Sequence, residues 1–323
     1  MVEDINNSNI IDKVDIDENE KIATRESFGR ALESLTNDNI VVLDADLDSS
    51  TKTQYFKNIH PERFIENGIS EADMIGTAAG LATCGKIPFA ATFAAFASGR
   101  CYDQIRCSVA YPKLNVKIVG THAGITVGED GATHQMLEDI SLMRTLPNMV
   151  VISTSDDIET KELIKQIAEY NGPVYLRLSR QNTPILYRNV DKNIFEIGKG
   201  IQIGNGTDAT IFATGVTVSE AVKAKQELEK QGINVRVVDI HTIKPIDKEL
   251  IIKCAKETNR LITIEDHNII GGLGSAICEV LCDEYPKKVE RMGMKDTFGK
   301  SGKPYDLMGY FKIDSKAIIE MFQ

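Results

Sequence analysis

Residues 89–119 read FAATFAAFASGRCYDQIRCSVAYPKLNVKIV. The stretch opens on an apolar run, Phe89–Phe93, passes through helical periodicity from Gly99 to Ala110, and ends on a second apolar run, Val116–Val119. Short apolar runs without strict alternation suit strands buried on both faces. A helix between two of them predicts a parallel strand–helix–strand unit.

The same alternation extends both ways along the chain. Upstream, the pattern predicts a helix from Thr24, a candidate cap, to about Leu35, a strand at Ile40–Leu43, and a helix from the candidate cap Ser70 to about Cys84. Downstream it predicts helices at Gln135–Arg144 and Asp157–Glu169 and strands at Val150–Ile152 and Val174–Leu176. Thr183–Asn193, with Pro184 and little periodicity, reads as a linker. A second series follows, with strands at Thr210–Ala213, Val235–Val238, Leu261–Ile264 and Val289–Arg291, and helices at Val218–Lys230, Asp247–Glu257 and Gly274–Glu284. The fold class is therefore α/β, as two domains spanning 21–187 and 188–323, each a parallel sheet covered by helices. Residues 1–20 carry seven acids against Lys13 alone and are expected to form a mobile or loosely docked tail.

Composition narrows the function classes. The chain has 323 residues, 37 Lys+Arg against 47 Asp+Glu, and a net charge of −10. That balance argues against a broad electrostatic grip on nucleic acid or anionic lipid, so bound phosphate must be held by a few placed residues. No apolar run approaches the roughly 18–20 residues of a membrane helix, and the acidic N-terminus lacks a secretory pattern; the expected location is the cytoplasm. The six cysteines fall in predicted helices and are expected to be reduced and buried. Cys278 and Cys282 have only His267 near them in sequence, so no metal site is expected.

Sites in open α/β sheets lie at the carboxyl ends of strands. Four segments fall there: Asp44–Thr51, Phe93–Arg100, Gly120–His134 and Leu178–Asn182. They gather Asp46, Ser50, Phe93, Phe96, His122, Asp130, His134 and Arg180, polar and aromatic residues that could bind a ligand.

Asn67–Met74 (NGISEADM) resembles the catalytic-glutamate segment of transketolases. Thr92–Phe96 is similar to their aromatic cofactor pocket, and Gly128–Gln135 to their G-E-D-G-P-T-H-Q loop with Ala132 for the proline. Leu178–Asn182 matches a further family motif, and Glu265–His267 with Gly271–Gly274 resembles the family's C-terminal domain more loosely. The resemblance implies thiamine diphosphate as cofactor. Glu71 would be the carboxyl that bonds its ring nitrogen, with burial expected to favour a shared proton. Phe96 would be the stacking platform, Phe93 a pocket wall, and Asp46 a contact across a subunit boundary. Where the family often has a tyrosine three residues past Phe96, this chain has Gly99. Asp130 would read a substrate hydroxyl, His134 would hold oxygens near the reacting carbon and act in catalysis, and His122 would lie toward the phosphate. Arg25, Ser50 and Arg180 would anchor that phosphate, a task the planar guanidinium suits.

The family's diphosphate and metal mark, G-D-G followed by an Asn, is not found. The resemblance therefore implies a C-terminal transketolase subunit. A separate N-terminal subunit would carry the diphosphate and its Mg or Ca ion, in a heterotetramer of the pentose phosphate pathway. The expected reaction moves a glycolaldehyde unit from a ketose phosphate to an aldose phosphate. Alternatives are a deoxyxylulose phosphate synthase-like subunit, a 2-oxo acid dehydrogenase beta chain, or a non-catalytic partner of the same fold. Gly271–Gly274 lacks full G-x-G-x-x-G spacing, so it reads as a close turn rather than a dinucleotide loop, and neither it nor His267 receives a role.

Overall fold

A computed structural model describes residues 9–323. The first sheet has seven strands in the order Thr242–Lys244, Val150–Ser153, Val174–Arg177, Lys117–Thr121, Ile87–Phe93, Ile40–Asp44 and Phe64–Glu66. Neighbours run parallel except Thr242–Lys244, which pairs antiparallel with Val150–Ser153. Every residue of Ile40–Asp44, Lys117–Thr121, Val150–Ser153 and Val174–Arg177 is buried. Helices on both faces leave no wet side, which is why these strands read as continuous runs.

The second sheet has six strands, in the order Ile10–Ile11, Ile201–Ile203, Val235–Asp239, Ala209–Ala213, Arg260–Asn268 and Val289–Met294. It is parallel except where Ile201–Ile203 meets Val235–Asp239. Two exchanges knit the halves together. Thr242–Lys244 leaves the second half to edge the first sheet, and Asn182–Pro184, overlapping the start of the expected linker, pairs antiparallel with Lys21–Ala23.

The predicted elements form, with instructive shifts. Ala23 is the N-cap of the helix Thr24–Glu33, and Thr24 is its first residue; the Thr24 hydroxyl instead accepts the Ser179 N–H at 2.8 Å. Ser70 precedes the helix Glu71–Thr83 but its side chain makes no capping bond. That helix buries Met74, Ile75, Ala78 and Ala79 at helical spacing, and full burial of a Met or Ile side chain contributes roughly 1.5–3 kcal/mol. The helix expected from Gly99 starts at Ala95 and holds two π-wound stretches, Ala95–Arg100 and Ile105–Ala110. The helix expected at Gln135–Arg144 is confined to Asp139–Thr145, because the Gln135 amide donates to the carbonyls of Ile125, Gly128 and Lys300.

From Asn9 to Glu20 the acidic segment is docked rather than loose. Ile10–Ile11 pairs with Ile201–Ile203, Val14 is 5% exposed, and Glu18 and Glu20 form ion pairs with Lys21, Lys223 and Arg188. Two of its acids, Glu18 and Glu20, thus meet bases on the body. The expectation for residues 1–8 lies outside the described residues. Burial of all six thiols is also corrected: Cys101 and Cys254 are buried and Cys278 is half-buried, but Cys84, Cys107 and Cys282 are exposed.

Candidate active site

The chain order of the first sheet reverses at Ile40–Asp44, which lies between Phe64–Glu66 and Ile87–Phe93. Such a switch point opens a crevice at the carboxyl ends of the strands. There the structure gathers the segments after Ile40–Asp44, Ile87–Phe93, Lys117–Thr121 and Val174–Arg177, while Glu71 opens the helix after Phe64–Glu66.

A path of contacts crosses this edge. Arg25 Nη1 donates to the Ser50 carbonyl at 2.6 Å and to His122 Nε2 at 3.2 Å. The His122 ring stacks on Phe93 with centroids 3.9 Å apart, and Phe93 stacks on Phe96 at 5.5 Å. The register explains the first stack, since Phe93 lies opposite Thr121 in the parallel pair. His134 meets the edge of Phe96 at 5.5 Å. The Arg100 guanidinium lies 3.9 Å over the Phe96 ring, and its Nη1 donates to Glu71 Oε1 at 2.8 Å. The Glu71 side chain is 7% exposed against 54% for Arg100, so the carboxylate is held inside and its partner reaches in from the rim.

His122 has a defined proton arrangement. A guanidinium only donates, so Nε2 is the acceptor and Nδ1 carries the proton, which it donates to Thr121 Oγ1 at 2.9 Å. Burial, with the charges of Arg25 and Arg180, pushes its pKa down to about 3. The ring is neutral at physiological pH. Its backbone sits at φ +56, sparsely populated for a residue with a side chain, so the surroundings must hold it there. Burial and the Arg180 charge also lower the Arg25 pKa. Two guanidiniums thus crowd one another in a partly desolvated place, a field that favours an anion. Arg25 Nε is buried without a partner.

The remaining expected residues lie around this path. Arg180 Nη1 donates to the Val127 carbonyl at 2.7 Å and lies 3.5 Å from Asp130 and 3.9 Å from Glu129. His134 Nδ1 lies 2.9 Å from Thr133 Oγ1. Ser50 takes part through its carbonyl rather than its hydroxyl. Asp46 is exposed at φ +60, with its backbone N–H donating to Glu66 at 2.8 Å.

Sequence reasoning missed Arg100. The signal was present, since an arginine four residues past a phenylalanine in a helix is a cation–π spacing. It also gave no partner for the loop of Asp130 and His134. Its braces come from the second half: Asp266, and the segment Phe298–Pro304, where Ser301 Oγ donates to the Glu129 carbonyl at 2.5 Å. The glycine run is explained within the fold. Glu265 accepts the N–H groups of Leu273 and Gly274 at 2.6 and 2.9 Å, filling the N-terminus of the helix Leu273–Glu284. A Cβ on Gly272 would stand 2.0 Å from that carboxylate.

The donor set fits the aminopyrimidine of thiamine diphosphate: a buried carboxylate with a ring face beside it. Among the described residues no group of three or more His, Cys, Asp or Glu side chains is placed to hold a metal ion.

Known proteins share both halves of this chain. Residues 20–185 match the transketolase pyrimidine-binding domain and residues 198–318 the transketolase C-terminal domain. A putative transketolase C-terminal section from Methanocaldococcus jannaschii is 52% identical over 297 residues, covering 91% of this chain and 93% of the relative. A 6-deoxy-6-sulfo-D-fructose transketolase subunit from a Clostridium species is 43% identical over 283 residues, covering 88% and 87%. A solved split-gene transketolase, described as an inactive beta4 tetramer, superposes with a TM-score of 0.85 at 48% identity, covering 93% of this chain and 96% of that one. With both domains in order and identity of this extent, the chain belongs to the transketolase family and corresponds to its C-terminal section.

Proposed function

We propose that the chain is the C-terminal subunit of a two-chain transketolase, moving a two-carbon ketol unit from a ketose phosphate to an aldose phosphate. The observation that carries this reading is the path from Arg25 through His122, Phe93 and Phe96 to Arg100 and Glu71. One end is cationic and suits a phosphate. The other places a carboxylate beside an aromatic face and suits a ring with a protonatable nitrogen.

When bound, thiamine diphosphate supplies an electron sink for the carbon–carbon bond that breaks. Glu71 would hydrogen-bond the ring nitrogen, and Phe96 and Phe93 would line the face of the ring. Arg25 and Arg180 fix the phosphate, with Ser50 and the neutral His122 orienting Arg25. Asp130 and His134 accept and donate hydrogen bonds to sugar hydroxyls, and His134 serves the oxygens at the reacting carbon. Asp46 at the rim reaches the cofactor across a subunit boundary. The reading assigns the diphosphate and its divalent metal to a separate N-terminal subunit in a heterotetramer, in the cytoplasm and the pentose phosphate pathway. The split-gene relative, described as inactive as a beta4 tetramer, supports a missing partner. The domain limits proposed for this subunit are 21–187 and 188–323.

Reconstitution with a diphosphate-binding subunit tests the reading. Ketol transfer between sugar phosphates is expected. Arg25→Leu and Arg180→Leu should each raise KM for the phosphorylated sugar roughly 10–100-fold, the range of one lost charge-assisted hydrogen bond of about 1.5–3 kcal/mol. Pyruvate consumption in place of ketol transfer would move the chain to another thiamine diphosphate family. The Clostridium relative motivates a parallel assay, since a sulfonate presents an Arg pair with three oxygens that share one negative charge.

A further inference from the structure

We infer that Asp266 is a positioning residue for the loop that carries His122, Asp130 and His134. The half of the chain that does not bear the site then sets the site's geometry. The inference rests on the function proposed above for what the loop binds.

Asp266 lies near the end of the strand Arg260–Asn268, in the second sheet, and is 2% exposed. Its carboxylate crosses to the other half. Oδ1 accepts the Ile125 N–H at 2.8 Å, and Oδ2 accepts the Thr126 hydroxyl at 2.8 Å and, more weakly, the Thr126 N–H at 3.5 Å. The loop is built to receive it. Gly124 has φ +79, and a Cβ there would stand 2.0 Å from Asp266 Oδ2, so only glycine lets the backbone come this close.

The carboxylate is costly to bury, and burial raises its pKa despite the nearby Arg177 and the loop donors. Arg177 bonds the Asp266 carbonyl at 2.7 Å and Asp139 at 2.8 Å, which fixes the strand end from below. The second half grips the loop again farther along. Gln135 donates to the Lys300 carbonyl at 2.8 Å, and Asn268 N–H donates to the Leu137 carbonyl at 2.9 Å.

Ile125 is three residues from His122, whose φ of +56 must be imposed from outside. Asp130 is four residues beyond Thr126. A rigid clamp between them fixes the spacing of the two side chains. This is positioning rather than chemistry, because the Asp266 carboxylate bonds the Ile125 and Thr126 N–H groups and the Thr126 hydroxyl.

The test compares wild type, Asp266→Asn and Thr126→Val, each reconstituted with the diphosphate-binding subunit. Asparagine keeps the shape but turns a donor toward a donor; valine keeps the volume of Thr126 and removes its hydroxyl. KM for the donor ketose phosphate should rise about tenfold or more in Asp266→Asn and about threefold in Thr126→Val. Thiamine diphosphate affinity should stay within about twofold. Amide hydrogen exchange should quicken within residues 124–135 of the isolated chain. Unchanged KM and unchanged exchange would overturn the inference, as would a parallel fall of cofactor affinity, Tm and kcat with KM preserved. If Asp266→Asn does not fold, Thr126→Val decides alone. If the wild-type pair transfers no ketol unit, the proposed function fails, and the exchange of residues 124–135 still decides whether Asp266 holds the loop.

Discussion

Arg100 Nη1 lies 2.8 Å from Glu71 Oε1, so the carboxylate that would serve a cofactor ring is held by a cation from its own chain. The same guanidinium lies 3.9 Å over Phe96. Arg100 thus occupies both features that a stacked, hydrogen-bonded heterocycle would use.

Binding that ring requires Arg100 to give up an exposed cation–π contact worth about 0.5–1 kcal/mol and an ion pair whose guanidinium is half-exposed, the ring nitrogen then taking its place on the buried Glu71. Arg100→Ala is expected to tighten thiamine diphosphate binding to the reconstituted pair about three- to tenfold, as measured by calorimetric titration. Weaker binding would mean that Arg100 orients Glu71 instead of competing for it.

Much of this site was legible in order along the chain. Phe89–Phe93 and Val116–Val119 announce buried parallel strands because both faces are covered, and the segments at their ends carry Phe96, His122 and His134. What escaped was non-local. Thr242–Lys244 is three residues long, and its place depends on an edge offered by Val150–Ser153, far away in sequence. Ile10–Ile11 has strand character only because Ile201–Ile203 is there to receive it. Asp266 escaped because its donors lie 140 and 141 residues away.

The docked N-terminal segment should matter for stability. Deleting residues 1–20 removes the Ile10–Ile11 pairing and the buried Val14, whose side chain contributes on the order of 1.5 kcal/mol or more. Tm is expected to fall by about 5 °C, read by circular dichroism, with ketol transfer at 25 °C kept within about twofold. An unchanged Tm would mean that the segment adds nothing to the fold.

Stability should also depend on pH through the junction of the two halves. Asp239 accepts the Tyr187 hydroxyl at 2.7 Å, and burial pushes its carboxyl up to about 7. The folded chain keeps a proton there that the unfolded chain releases near 3.8. This contribution is full below about pH 4 and is lost as pH rises toward 7. His122 works in the opposite sense. Its pKa is lowered from 6.5 to about 3, so its contribution is lost as pH falls below about 6.5. Asp239→Asn, which stays neutral, should make urea-unfolding free energies decline less between pH 4 and 7 than in wild type. An identical decline in both proteins would remove Asp239 from the explanation.

The central claim is that Glu71 is the cofactor-facing carboxylate of a transketolase completed by a second chain. The direct measurement is thiamine diphosphate-dependent ketol transfer by the reconstituted pair carrying Glu71→Gln or Glu71→Ala. Transfer is predicted to fall at least about 100-fold, the scale of a lost acid–base group, while the two chains still assemble. Undiminished transfer in both variants would contradict the account.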